Sequence, residues 1–145
     1  MWLKFDNFTD SDELVREHTS NMELWRNSNG LYVTAANSNP QIVDDDDLAI
    51  NTWYHLVLTN NGGTFKAYWN GSEVSLSDTS TKTISSVTAW TIGNRGDSTT
   101  TEAFHGLFDQ MLVYDDVLTS GEVSTLYGGG DGVKVPSTSN LITHY

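Results

Sequence analysis

Aromatic side chains with polar neighbours are the residues of this chain whose types and spacing can do chemistry. In MELWRNSNGLYVTA (22–35), Trp25 is followed by Arg26 and Asn27, and Tyr32 lies across a Gly-containing turn. In TWYHLVLTNNGGTFKAYWNGSEVSL (52–76), His55 and Tyr68 stand among alternating apolar residues. A sugar lays its apolar C–H face on an aromatic ring, while its hydroxyls seek amides, guanidinium groups and carboxylates. Trp25, Tyr32, His55, Tyr68, Arg26 and Asn27 therefore form a candidate carbohydrate platform if one exposed surface holds them. The competing reading is that a loop, a further layer or a partner covers these rings.

Charge supplies the second candidate. Asp44-Asp45-Asp46-Asp47 places four carboxylates in a row. Their mutual repulsion is relieved by solvation or by a cation, and a solvated loop ahead of Trp53 is the expected setting. None of the four histidines has a partner at metal-ligand spacing, and there is no cysteine for a thiolate site or a disulfide.

These residues must be held by strands. With Asn61-Gly62 as a two-residue turn, Leu58 sits opposite Phe65, Leu56 opposite Ala67 and Tyr54 opposite Trp69. With Asn70-Gly71 as a second turn, Ala67 faces Val74 and Phe65 faces Leu76. Both turns send Tyr54, Leu56, Leu58, Phe65, Ala67, Trp69, Val74 and Leu76 to one face, an agreement that a one-residue slip would destroy. His55, Val57, Thr59, Lys66 and Tyr68 take the other face. Trp53, Trp69 and Phe65 are expected in the core.

The 22–35 hairpin keeps Met22, Leu24, Leu31, Val33 and Ala35 on one face and places Trp25 and Tyr32 outside, as cross-strand neighbours. Further strands are expected at Trp2–Phe5, Leu14–His18, Thr83–Val87, Trp90–Gly93 and Leu107–Tyr114. One helix is expected at Thr119–Leu126, capped by Thr119 or Ser120 with Glu122 near its start. About ten short strands joined by polar turns imply an all-β sandwich. Residues 1–127 form this domain, 128–140 (GGGDGVKVPSTSN) read as a linker, and 141–145 (LITHY) as a terminal strand that can complete the sandwich.

A formal net charge of −12, from 19 acidic and 7 basic residues, argues against nucleic acid, which demands clustered Lys and Arg. No apolar run approaches the ~18 residues of a membrane span, so no membrane insertion is expected.

The order of segments resembles the laminin G-like domains of the concanavalin A-like lectin/glucanase superfamily, including their pentraxin branch. The matching positions are Trp53, His55, Tyr68, Asn70, Gly71, Ile92, Gly93, Phe104, Gly106, Asp109, Tyr114, Leu118 and Glu122, with FHGLFDQMLVYDDVLTSGEVSTLY as the most specific stretch. The resemblance covers roughly residues 2–127 and implies an antiparallel jelly-roll β-sandwich. Strands that usually precede WLKF are absent, whereas NLITHY resembles the first strand of such a domain. Sheet edges left open by that arrangement invite a second copy or a tandem neighbour.

The resemblance also frames the sites. Glucanases of this fold carry Glu-x-Asp-x-Glu or Glu-x-Asp-x-x-Glu on one strand. None of the six glutamates has an Asp two residues later, so no enzyme activity is expected. Pentraxins hold calcium in a loop matched here by IGNRGDSTTTEAF, which implies Asp97 and Glu102 as ligands with Asn94 adding a neutral oxygen. Arg95 stands where that loop has Glu, and a polar surface loop is the competing reading. Alternation puts Asp109 on the inward face with Met111 and Val113, in a structural, hydrogen-bonded role.

The resemblance implies a non-catalytic, lectin-like module at a cell, virion or extracellular surface, with a glycan ligand and calcium as cofactor. The alternatives are a structural or adhesion module that binds protein, and a glycoside hydrolase.

Overall fold

The computed structural model describes residues 1–9, 11–17, 22–35, 38–77, 89–96, 102–132 and 141–144. The expected strand Thr83–Val87, Asp97 and most of the linker lie outside them. One five-stranded antiparallel sheet runs β10-β1-β6-β7-β8, with β1 at Trp2–Phe5, β6 at Trp53–Asn61, β7 at Thr64–Trp69, β8 at Ser72–Val74 and β10 at Gly106–Asp109. The other runs β5-β4-β3-β2-β9, with β2 at Ser11–Glu17, β3 at Met22–Asn27, β4 at Gly30–Ala35, β5 at Gln41–Asp44 and β9 at Trp90–Ile92. Leu112–Tyr114 (β11) pairs with Leu141–His144 (β12) in a two-stranded ribbon. This is the antiparallel β-sandwich expected from the sequence.

The core lies between the sheets. Leu3, Phe5, Tyr54, Leu56 and Ala67 meet Leu14, Val15, Leu24, Leu31, Val33, Ile42 and Val43 there. Period-two alternation explains most of this set. Two irregularities explain the rest. The β2–β3 register shifts between Glu13 and Val15, so consecutive Leu14 and Val15 are both buried. The β4–β5 register shifts between Leu31 and Tyr32, so consecutive Ile42 and Val43 are both buried as well.

The central meander keeps its expected faces but not its first register. Leu56 opposes Trp69, Leu58 opposes Ala67, and Asn61 opposes Thr64. The turn is therefore Gly62-Gly63, whose φ values of 59° and 99° are those of a mirror-image turn that glycine adopts without strain. The Asn60 side chain accepts the Gly63 N–H at 2.8 Å and so anchors that turn. Moving the turn by one residue changes partners by two, which preserves the inward face. The second turn is as expected: Ala67 opposes Val74, and Asn70 and Gly71 take φ of 49° and 79°.

Three further expectations need correction. Trp53 is 41% exposed, because it precedes inward-facing Tyr54 and alternation turns it outward. Asp109 is exposed, and its Oδ1 accepts only the neighbouring Gln110 N–H among described contacts. Gln110 has φ of 46°, which ends β10 and breaks the alternation that would have buried Asp109. Leu107–Tyr114 is accordingly two strands rather than one.

The helix α1 spans Ser120–Tyr127 and starts in a capping box, with the Glu122 N–H donating to Thr119 Oγ1 and the Thr119 N–H donating to the Glu122 carboxylate. Its Val123 packs with Val57 and Tyr68 on the outer face of the β6–β7 meander. One sheet is thereby covered by a third layer.

Candidate functional site

The layer beneath α1 removes two residues from the expected platform. Tyr68 and His55 are each only 3% exposed. Tyr68 lies against Val57 and Val123, and His55 is flanked by Trp2 and Tyr127, with ring centroids 5.0 and 5.9 Å away. Burial, reinforced by the Met1 amino group nearby, drops the His55 pKa to about 4. It is a neutral structural imidazole.

Arg26 leaves the platform for a different reason. It alternates with Trp25 and therefore shares the inward face with Leu24. Its guanidinium is 3% exposed and lies 3.9 Å from the centre of the Phe8 ring. It donates to the fully buried Asp12 at 3.2 Å, to Asp45 at 2.5 Å and to the Thr9 carbonyl at 2.9 Å. The acidic run is thus not wholly solvated, since Asp45 pins one end of the core. Asn27 serves the hairpin turn, its Oδ1 accepting the Asn29 N–H at 2.8 Å.

Trp25 and Tyr32 do meet on the outer face of the second sheet. They are direct cross-strand partners, stacked at 4.8 Å with an 18° interplanar angle, and both are half-buried. Trp25 Nε1–H donates to Thr34 Oγ1 at 2.7 Å, which fixes the indole. The two bulges set what flanks the pair. Glu13 opposes Trp25 and Gln41 opposes Tyr32, so one row across four strands reads Glu13, Trp25, Tyr32, Gln41. The next outward row reads Thr91, Arg16, Glu23, Thr34, with Arg16 and Glu23 paired at 3.0 Å.

Glu13 is the unusual member. Its carboxyl is 4% exposed, and Oε1 has no hydrogen-bond partner in the structure. Burial first, and then the neighbouring Glu23 carboxylate, raises its pKa to about 7, against the opposing pull of Arg16 and Arg95. Near neutral pH this carboxyl is divided between an O–H donor and a carboxylate acceptor. Two stacked rings bordered by Gln41, Arg16 and Glu23 can carry a sugar's apolar face and address its hydroxyls, while the buried Glu13 lies out of a ligand's reach.

This face is placed by a fold with a recognisable sequence pattern. Residues 1–124 match a laminin G-type family model described as concanavalin A-like lectin/glucanases superfamily. The chain belongs to that superfamily. Among solved structures, it is similar to a Bacteroides ovatus protein provisionally described as carbohydrate binding, with TM-score 0.74 and 23% identity over 99% of this chain. The chain spans 43% of that protein's length. It is also similar to a heptameric SAP-like pentraxin from Limulus polyphemus, with TM-score 0.67 and 22% identity, covering 92% of this chain and 70% of that one. No curated protein sequence matches it.

Only part of the calcium set implied by a pentraxin-like loop falls among the described residues of this lectin/glucanase-type chain. Glu102 is paired with Arg95 at 2.9 Å, so a guanidinium holds the carboxylate that a dication would need. Asn94 Oδ1 accepts the Gly96 N–H at 3.2 Å, and Asp97 lies outside the described residues. Among those residues no group of three or more His, Asp or Glu is disposed to hold a metal ion.

Sequence reasoning missed Glu13, Arg16, Glu23, Thr34 and Gln41. Arg16 opposite Glu23 was within reach of a β2–β3 hairpin register. Glu13 and Gln41 depend on bulges, for which the sequence carries no turn residue as a marker.

Proposed function

We propose that the chain is a non-catalytic carbohydrate-binding module acting at an extracellular or cell surface, through the outer face of the β2–β5 sheet. The stacked Trp25–Tyr32 pair carries this reading. It is an aromatic surface fixed by a hydrogen bond and flanked by Gln41, Arg16 and Glu23. Superfamily membership and the Bacteroides ovatus relative support the ligand class. This reading assigns calcium no role, since Glu102 is paired with Arg95. A glycan array tests the proposal: the expected result is a small family of related hits that persist in chelator. An array without hits would refute it.

One observation favours protein contacts as a second function. Across β10, β1 and β6 the outward row is Leu107, Lys4, Trp53, with Leu107 and Trp53 exposed and the Lys4 ammonium 5.8 Å from the Trp53 ring centre. Such a row suits an adhesion partner. The hydrolase alternative has less support, since a carboxyl as buried as Glu13 offers a glycosidic oxygen no approach.

A further inference from the structure

The aromatic row does not stop at Tyr32. Its next member, Gln41, stands on β5, the edge strand of that sheet. Gln41 also lines a cleft of about 320 Å³ between β5 and residues 74–77 at the end of β8, the edge strand of the other sheet. That volume is at the lower end of the roughly 300–1,000 Å³ of small-molecule sites. From Trp25 to Gln41 the row crosses two strand spacings, roughly 10 Å. A sugar ring resting on the stacked pair therefore leaves the cleft open to the next units of a chain.

The lining defines what those units must be. Its apolar part is Ile42, Val43 and Val74, and its polar part beyond Gln41 is Asp44, Asp47, Ser75 and Ser77. Among the described lining residues there is no Lys or Arg. The short 3-10 turn at Asp45–Asp47 divides the acidic run: Asp45 is taken by Arg26, while Asp44 and Asp47 stay exposed at the cleft. Gln41 Nε2 donates to Asp44 Oδ1 at 2.8 Å and to the Asn29 carbonyl at 2.7 Å, which fixes the amide where row and cleft join. Gly30 makes room for it, since a Cβ there would come within 2.6 Å of Nε2. Two carboxylates with no cation beside them accept bonds from hydroxyls and repel anionic groups.

We infer that the cleft between β5 and β8 is a second subsite for the same glycan, and that the ligand is a neutral oligosaccharide rather than a single sugar or an acidic chain. This rests on the carbohydrate reading of the Trp25–Tyr32 face. One unit lies on the rings. The next donates its hydroxyls to Asp44 and Asp47 and sets its apolar edge against Val74. The same carboxylates turn away sialylated and sulfated chains, in keeping with the formal net charge of −12.

The test is an array of neutral, sialylated and sulfated glycans at several chain lengths, followed by titration calorimetry with the strongest neutral chain and with its terminal monosaccharide. The expected hits are neutral chains. The chain should bind at least about tenfold more tightly than the monosaccharide, the worth of one hydrogen bond to a charged group. Asp47→Ala should remove most of that advantage; the side chain is exposed, so the circular dichroism spectrum should be kept. Three results would overturn the cleft and leave sugar binding at the Trp25–Tyr32 face standing: hits confined to acidic glycans, a monosaccharide bound as tightly as its chain, or an Asp47→Ala variant with the full advantage. An array without hits would overturn both.

Discussion

Tyr127 stacks on Trp2, ring centroids 5.8 Å apart and planes 24° from parallel, and this contact clamps the end of α1 to the sheet it covers. Gly71 lies beneath the same ring: a Cβ there would come within 2.7 Å of Tyr127, and its φ is +79°. Gly71→Ala therefore meets both a steric and a backbone penalty, with a predicted loss of about 1–3 kcal/mol in urea unfolding. An unchanged midpoint would mean that α1 is not held there.

Arg26 and Asp12 are buried together, and removing either one strands the other. Arg26→Met should destabilise by about 3–5 kcal/mol. The double variant Arg26→Met/Asp12→Asn should lose less than the sum of the single variants, by roughly 0.5–3 kcal/mol. Additivity in that cycle would show that the pair is not coupled.

Glu13 and His55 impose opposite pH dependences. The Glu13 pKa is raised from 4.5 to about 7, so the folded state binds the extra proton between those values and loses stability as pH rises through them. The His55 pKa is lowered from 6.5 to about 4, so the unfolded state binds the extra proton in that window and stability falls as pH falls. Glu13→Gln removes only the first dependence. Relative to the parent, it should be near neutral at pH 4 and more stable by about 1–3 kcal/mol at pH 8. Denaturant melts at the two pH values check this, and a difference independent of pH would contradict it.

Calcium should leave the melting temperature unchanged within about 1 °C relative to chelator, because a native-state ligand would raise it by mass action. A clear rise would show that the folded chain binds the cation.

The fold was legible because alternation and Asn-Gly punctuation act locally. The faces of the 53–76 meander follow from period two alone, so they survived a turn that moved from Asn61-Gly62 to Gly62-Gly63. The site was only partly legible. Trp25 and Tyr32 follow from hairpin alternation, and the same alternation, applied strictly, sends Arg26 inward with Leu24. Nothing local announces that α1 will settle over Tyr68 and His55, since that is decided by tertiary packing. Nor does the sequence mark the bulges at Leu14 and Ile42 that bring Glu13 and Gln41 into the aromatic row. Asp109 was misplaced because one residue, Gln110, adopts a positive φ inside an otherwise strand-like run.

The central claim is that the Trp25–Tyr32 face binds sugar, and titration calorimetry with the strongest array hit tests it most directly. Trp25→Ala should weaken that glycan by at least about tenfold, or 1.4 kcal/mol, with the β spectrum retained. Trp53→Ala, on the other sheet, should leave the affinity unchanged. Undiminished binding by the Trp25 variant, or a loss confined to the Trp53 variant, would contradict the account.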